Sequence, residues 1–255
     1  MGEHWYTRTG EPRYDANKKD ARRLGLYPSV TTVAKMIRNY GLDKWIKQQQ
    51  YLAAETVKRL EGEDNADWFV RCDEEAEKVS SEAAVRGSLF HDTIEAHLHE
   101  MKKAQSVKTE YVWPDDIRPW QHHFETYADQ HIASLWDVER CLASDRLGAA
   151  GKCDLIYSDR DLGFAISDWK SQNVKKRPSF YDSWVWQLAA YRMMVGEISG
   201  ENGLPQCVSV VINANEPSPF VRKVWSDEMV LWGERVITTI FELWRLVEKF
   251  DPRPA

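Results

Sequence analysis

Between residues 136 and 170 three short apolar runs follow one another, with only turn-forming residues between them. The separators are SDRLG and SDRDLG, rich in the serine, aspartate and glycine that favour reversals. Each run is too short for a stable helix and includes valine, isoleucine, tyrosine or tryptophan. The pattern predicts three consecutive strands at about 136–143, 150–157 and 163–170, paired as a meander. A chain with such a block must bury one sheet face, so the remaining sequence has to supply a layer to cover it.

That layer is present on both sides of the block. Residues 29–62 show apolar positions three and four apart, broken near Gly41, and read as two helices. A helix is expected to begin after Arg86, with Leu89, Phe90, Ile94 and Leu98 as its buried stripe, and another opens at Pro114. After the strands come the basic turn VKKRPS, a helix over about 180–197, strands in CVSVVINAN and FVRKVWS, and a last helix over about 227–250. The first 23 residues look irregular and polar. The expected fold is α/β, a central mixed sheet flanked by helices. Residues 1–85 are expected to form an N-terminal helical region, an arch or lid, and 86–255 the core.

The net charge of −6 and pI near 5.7 argue against binding nucleic acid through bulk electrostatics, so phosphate contacts must come from local cations or a bound metal. There is no apolar run long enough for a membrane span, and the start MGEHWYTRTG lacks the apolar centre of a secretory signal, so an intracellular protein is expected. The cysteines at 72, 141, 153 and 207 form no CxxC pair and read as free thiols. The 12 tryptophans read mainly as core residues, with one or two available to stack on bases.

Alternation along the third strand puts Phe164, Ile166, Asp168 and Lys170 on one face, and along the second it groups Lys152, Asp154 and Ile156. A tight hairpin brings Asp154 and Asp168 together. Two carboxylates sharing an apolar site repel each other unless a divalent cation lies between them, and such hard oxygen donors suit Mg²⁺, with Mn²⁺ as a substitute. A lysine beside the metal orients water and offsets charge on an attacked phosphate. Taken alone, D-x-K is more often a surface ion pair. Here it stands between His91 and Glu95, four apart on a helix, and Gln187 and Tyr191, four apart on another.

The ordered set RGSLFH, AGKCD, SDWK and QLAAY resembles the PD-(D/E)xK nuclease superfamily, in its RecB-like exonuclease branch. The resemblance implies a restriction-endonuclease-like core in which Asp154, Asp168 and Lys170 are catalytic. Its metal would be held by both acids, the Trp169 backbone carbonyl and His91, with Glu139 and Glu95 in support. Gln187 and Tyr191 would contact nucleic acid or brace the site, and Arg86, Lys175, Lys176 and Arg177 would meet phosphates. The implied activity is metal-dependent hydrolysis of DNA from an end, single-stranded in some members, in recombination, repair or phage genome processing. A recombination or replication protein is a conceivable partner, and the cytoplasm of a bacterium or phage-infected host the expected location. PSVTTV followed by YGLDKW is similar to phage-encoded RecB-like nucleases and to mitochondrial genome-maintenance exonucleases. With Cys72 before the histidine motif but Cys207 alone after QLAAY, no iron–sulfur cluster is expected. GAAGKC fails as a phosphate-binding loop, because Arg146 occupies its first glycine position and Cys153 its Ser/Thr position. A DNA-end-binding protein without catalysis and a metal phosphohydrolase acting on nucleotides remain alternatives.

Overall fold

The computed structural model describes residues 4–37, 40–200 and 203–254. By packing, the chain divides into two units: Met1–Ile37 with Asp92–Ala255, and Arg38–His91.

The first unit is built on a five-stranded sheet of order β4-β5-β6-β7-β8, with β4 at Ile132–Ser144, β5 at Ala149–Asp159, β6 at Gly163–Gln172, β7 at Gln206–Asn213 and β8 at Val221–Val224. The predicted meander is its first half, since β4, β5 and β6 pair antiparallel. β6 and β7 are parallel and therefore need a crossover, which helix α6 (Asp182–Ser199) supplies. α7 (Asp227–Glu248) closes the same side. The Ser226 hydroxyl caps its first turn by accepting from the Met229 N–H, and Val230, Ile237, Phe241 and Trp244 recur on its buried face. These residues meet Val185, Leu188, Ala189 and Met194 of α6 and Ile156 and Ile166 of the sheet in one apolar core.

The opening residues differ from the irregular stretch expected. Two-residue strands β1 (Trp5–Tyr6), β2 (Pro12–Arg13) and β3 (Tyr27–Pro28) form a small sheet around helix α1 (Lys18–Leu24), which Asn17 caps and Gly25 ends in the left-handed region. Trp5, Leu26, Val30 and Val33 are buried in the main core, and Ser29 bridges Ala150 of β5. This is why residues 1–37 group with the core. The stretch SVTTVA folds as the short helix α2 (Val30–Ala34) behind Ser29.

The second unit contains helix α3 (Tyr40–Thr56) and the first part of helix α4 (Asn65–Ala104). Ala53, Cys72 and Ala76 pack there with Val57 and Trp68, whose indole donates to the Val57 carbonyl at 2.9 Å. α4 thus starts well before Arg86. The acidic, alanine-rich run ahead of Arg86 favours helix, but its packed side is only the narrow row of Trp68, Cys72 and Ala76, a weak stripe in an otherwise exposed segment. The helix expected from Pro114 is also shorter. A 3₁₀ turn at Arg118–Trp120 precedes α5 (Gln121–His131), and IASL begins β4, ahead of the strand start expected near 136.

In the first unit His97 is fully buried beneath this region. The Trp113 indole N–H donates to its Nδ1 at 2.9 Å, so the ring proton sits on Nε2, 2.9 Å from the Thr109 hydroxyl. Burial pushes the His97 pKa below its ordinary value. A depressed folded pKa means that the stabilisation is complete above the unfolded value near 6.5 and is lost as pH falls through the folded one. Urea unfolding between pH 7.5 and 5 is expected to show a loss of up to about 1.4 kcal/mol per pH unit below pH 6.5. His97→Gln, which keeps an acceptor but cannot titrate, should flatten that slope; equal slopes in the two proteins would refute the role.

No described helix is long and apolar enough to cross a membrane.

Candidate active site

β5 and β6 pair from Asp159↔Gly163 up to Leu155↔Ser167, where the ladder ends. The next positions in that register are Asp154 and Asp168. Both acids therefore stand on the face that also carries Ile156 and Ile166, where the strands part, and beyond this point β6 stays bonded to β7 as far as Gln172. The parting frees the Trp169 N–H from a strand partner on this side. It donates to Asp154 Oδ2 at 2.9 Å and fixes that carboxylate.

Lys170 Nζ donates to Asp168 Oδ1 at 2.7 Å and lies 3.4 Å from Gln187 Oε1. The Asp168 side chain is 2% exposed and that of Lys170 27%. Burial works against the lysine's charge, but Asp168 and Asp154 outweigh it and hold the ammonium above its ordinary pKa.

On β4, Glu139 falls between the pairs Val138↔Leu155 and Arg140↔Cys153, facing Asp154. Its carboxylate lies within 4.8 Å of that of Asp154. Its φ of +50° is a left-handed conformation, which costs a non-glycine residue about 1–3 kcal/mol and is typically kept where function requires it. Lys152 Nζ contacts Glu139 Oε2 at 2.5 Å. Burial opposes the lysine's charge here too, yet Glu139, with Glu95 adding to it, raises its pKa. Lys152 was legible in the sequence only as sharing a face with Asp154; its partner on β4 was not.

α6 brings up Gln187 and Tyr191. Tyr191 is 3% exposed, packed between α6 and β5. Burial, with the Asp154 charge near it, pushes its phenol well above the usual range, so it stays a neutral donor. Its ring lies against Gly151, where a Cβ would sit 2.9 Å from Tyr191 Oη and 3.0 Å from Cε1. Cys153, between Lys152 and Asp154, is wholly buried; burial and the two aspartates raise its thiol pKa far above normal, so it is no thiolate ligand.

Lys175, Lys176 and Arg177 are exposed in the loop from β6 to α6. His91 and Arg86 lie on the part of α4 that belongs to the second unit, where the Arg86 guanidinium sits 5.7 Å above the Phe90 ring. His91 is one helical turn before Glu95, which belongs to the first unit. A cavity of about 630 Å³ beside Met101, Lys102, Ile132 and Arg160 shares no residue with this constellation and has no acid in its lining.

The family model described as the PD-(D/E)XK nuclease superfamily matches residues 65–243, well over half of the chain. The chain belongs to the PD-(D/E)XK nuclease superfamily. The match takes in all four sequence motifs, and nucleic acid is the substrate class of such nucleases. Nucleases of this superfamily typically depend on divalent metal. Among solved structures, the chain is similar to a crystal structure of a candidate exonuclease from Eubacterium rectale, at 15% identity and a TM-score of 0.43, over 66% of this chain and 67% of that one. No curated protein matches the sequence.

Proposed function

We propose that the protein is a metal-dependent DNA exonuclease that hydrolyses phosphodiester bonds with an activated water. The observation that carries this reading is the parting of β5 and β6 at Asp154 and Asp168, with Lys170 bonded to the second acid at 2.7 Å. The donor set fits a hard divalent cation. Glu139 and Asp154 present carboxylate oxygens within 4.8 Å of each other, and Asp168 stands beside Asp154 where the strands part, so the place offers the hard oxygen donors that such a cation prefers.

Asp154 and Asp168 would hold the ion. In an extended strand the N–H and C=O of one residue point the same way, so the Trp169 N–H bond to Asp154 also turns its carbonyl toward these acids. His91 is the further ligand that the motif suggests, with Glu95 and Glu139 in support. A bound Mg²⁺ would supply Lewis-acid stabilisation of the phosphate and a lowered pKa for water. The chain's own residues do the rest. Lys170, kept charged by its two acids, donates to water or to a phosphate oxygen. Gln187 limits where the ammonium can swing, and the buried Tyr191 fixes the wall of β5 behind Asp154. Glu139 keeps its place by pairing with Lys152. Arg86 and the loop cations Lys175, Lys176 and Arg177 would draw the substrate's phosphates. The place in recombination, repair or phage genome processing rests on the motif resemblance.

The test is degradation of end-labelled linear DNA, single- and double-stranded, beside circular DNA and free nucleotides, in Mg²⁺, Mn²⁺ and EDTA. Loss of linear but not circular DNA, abolished by EDTA, is expected. Cleavage of circles would replace exonuclease by endonuclease. Turnover of nucleotides alone, or binding of ends without hydrolysis in any metal, would refute the nuclease mechanism.

A further inference from the structure

The acidic protein carries a local basic and aromatic segment directly after its D-x-K strand. From Gln172 to Tyr181 the chain reads QNVKKRPSFY, with three cations and no acid; the flanking acids are Asp168, paired with Lys170, and Asp182, exposed at the start of α6. The loop is built to hold a shape. The Gln172 side-chain amide donates to the Ser179 carbonyl at 2.7 Å and accepts from the Ser179 N–H at 3.1 Å, while the Val174 N–H donates to Asn213 Oδ1 at 3.2 Å. Gln172 is two residues beyond Lys170, so the closed base of the loop lies within about 7 Å of Lys170 along the strand. Lys175, Lys176 and Arg177 all point their exposed side chains from this pinned loop.

An aromatic surface follows at once. Tyr181 is 40% exposed and rests edge-on against Trp184, with ring centroids 5.3 Å apart, and Phe180 packs on the same indole at 6.0 Å. Lys223 of β8 adds a fourth cation, 5.7 Å from the Phe180 ring. A large exposed ring held in place by a second ring loses little freedom on binding a flat partner. Cations that track a backbone beside rings that take a base face are the two parts of a single-strand binding surface, because in a duplex the base faces are already stacked.

We propose that the loop from Lys175 to Arg177 and the ring of Tyr181 form a subsite for unpaired nucleic acid, making the substrate a single-stranded end. The occupant is the strand on its way to or from the acids. Phosphates lie along the three cations, and one base stacks on Tyr181 with Trp184 behind it. This inference rests on the nuclease reading above and specifies the strand that the site takes.

Binding without cleavage tests it. Fluorescence anisotropy of the full chain in EDTA is measured with a labelled oligothymidine and with a blunt hairpin duplex of equal length. Single strand is expected to bind at least tenfold tighter. Tyr181→Ala should weaken the single strand about tenfold and leave the duplex unchanged, while Tyr181→Phe should bind as wild type. Replacing Lys175, Lys176 and Arg177 by Gln should make the slope of log affinity against log salt shallower by about 2. Tyr181 is on the surface, and unchanged circular dichroism checks that its variants fold. Equal affinity for both substrates, or a Tyr181→Ala protein that binds single strand like wild type, would overturn the proposal. If the protein binds in this way but cleaves nothing, the subsite stands and the nuclease reading fails; if it cleaves while Tyr181→Ala binds normally, the reverse holds.

Discussion

Lys170→Ala is expected to lower the single-turnover rate of DNA cleavage by about 10²–10³-fold, the usual cost of removing one positioned donor from a reacting phosphate or carbonyl. The same substitution should also destabilise the protein in EDTA. Asp168 is almost completely buried, and its Oδ1 receives the Lys170 ammonium at 2.7 Å. Taking away one member of a buried pair strands the other charge, at a cost of about 3 kcal/mol for a lysine that is itself partly exposed. Asp168→Asn should be as inactive, for a different reason, since it removes an oxygen donor that the proposed ion would use. The double variant Asp168→Asn/Lys170→Met separates the two effects: it should be inactive yet recover most of the lost stability, because both members of the pair lose their charge and the charge balance of the site returns to that of wild type. Mg²⁺ should raise the melting temperature of Lys170→Ala more than that of wild type, because a cation no longer competes with the Lys170 ammonium for Asp168. Single-turnover assays and urea unfolding of the four proteins give these comparisons. Cleavage by Lys170→Ala within threefold of wild type would remove Lys170 from the mechanism.

The hairpin behind this prediction was readable from residue order, for a definite reason. A period-two pattern fixes which side chains share a face, and a short turn fixes which strand lies next; the observed Ile156↔Ile166 pair follows from both. What alternation does not encode is where a ladder stops. The end of pairing after Leu155↔Ser167, which opens the space at the acids, depends on β6 remaining bound to β7 and on Asp154 taking the Trp169 N–H. The left-handed backbone of Glu139 was equally silent, since nothing in VERC marks a glutamate for that conformation. Two-residue strands such as those of the N-terminal sheet have no period at all. They form because Trp5 and Tyr27 are drawn into the core and carry short backbone segments with them. The acidic half of α4 escaped for the opposite reason: high helix propensity with a packed row of only Trp68, Cys72 and Ala76 leaves composition as its main signal.

Gly151 is where two motifs meet, and its replacement should have the second large effect. In AGKCD the glycine reads as a strand residue with no evident purpose, and in QLAAY the tyrosine reads as one more helix position. The structure makes them one contact: a Cβ on residue 151 would fall 2.9 Å from Tyr191 Oη, closer than such atoms approach, and the tyrosine is a buried ring with no flexible end to yield. Gly151→Ala must therefore push α6 away from β5 or bend the strand one position ahead of Lys152 and three ahead of Asp154. Overpacking of this kind costs about 1–3 kcal/mol, and Gly151→Val should exceed it. Because Gln187 lies one turn before Tyr191 and reaches Lys170 at 3.4 Å, the shift passes into the site, and cleavage should drop about 10²-fold even where the protein remains folded. Tyr191→Phe removes the nearest atom and should recover part of the loss when combined with Gly151→Ala, whereas independent effects would simply add. A double-mutant cycle on both melting and cleavage decides this. Strict additivity would mean that the glycine serves the strand alone, and the spatial reading of the two motifs would fall.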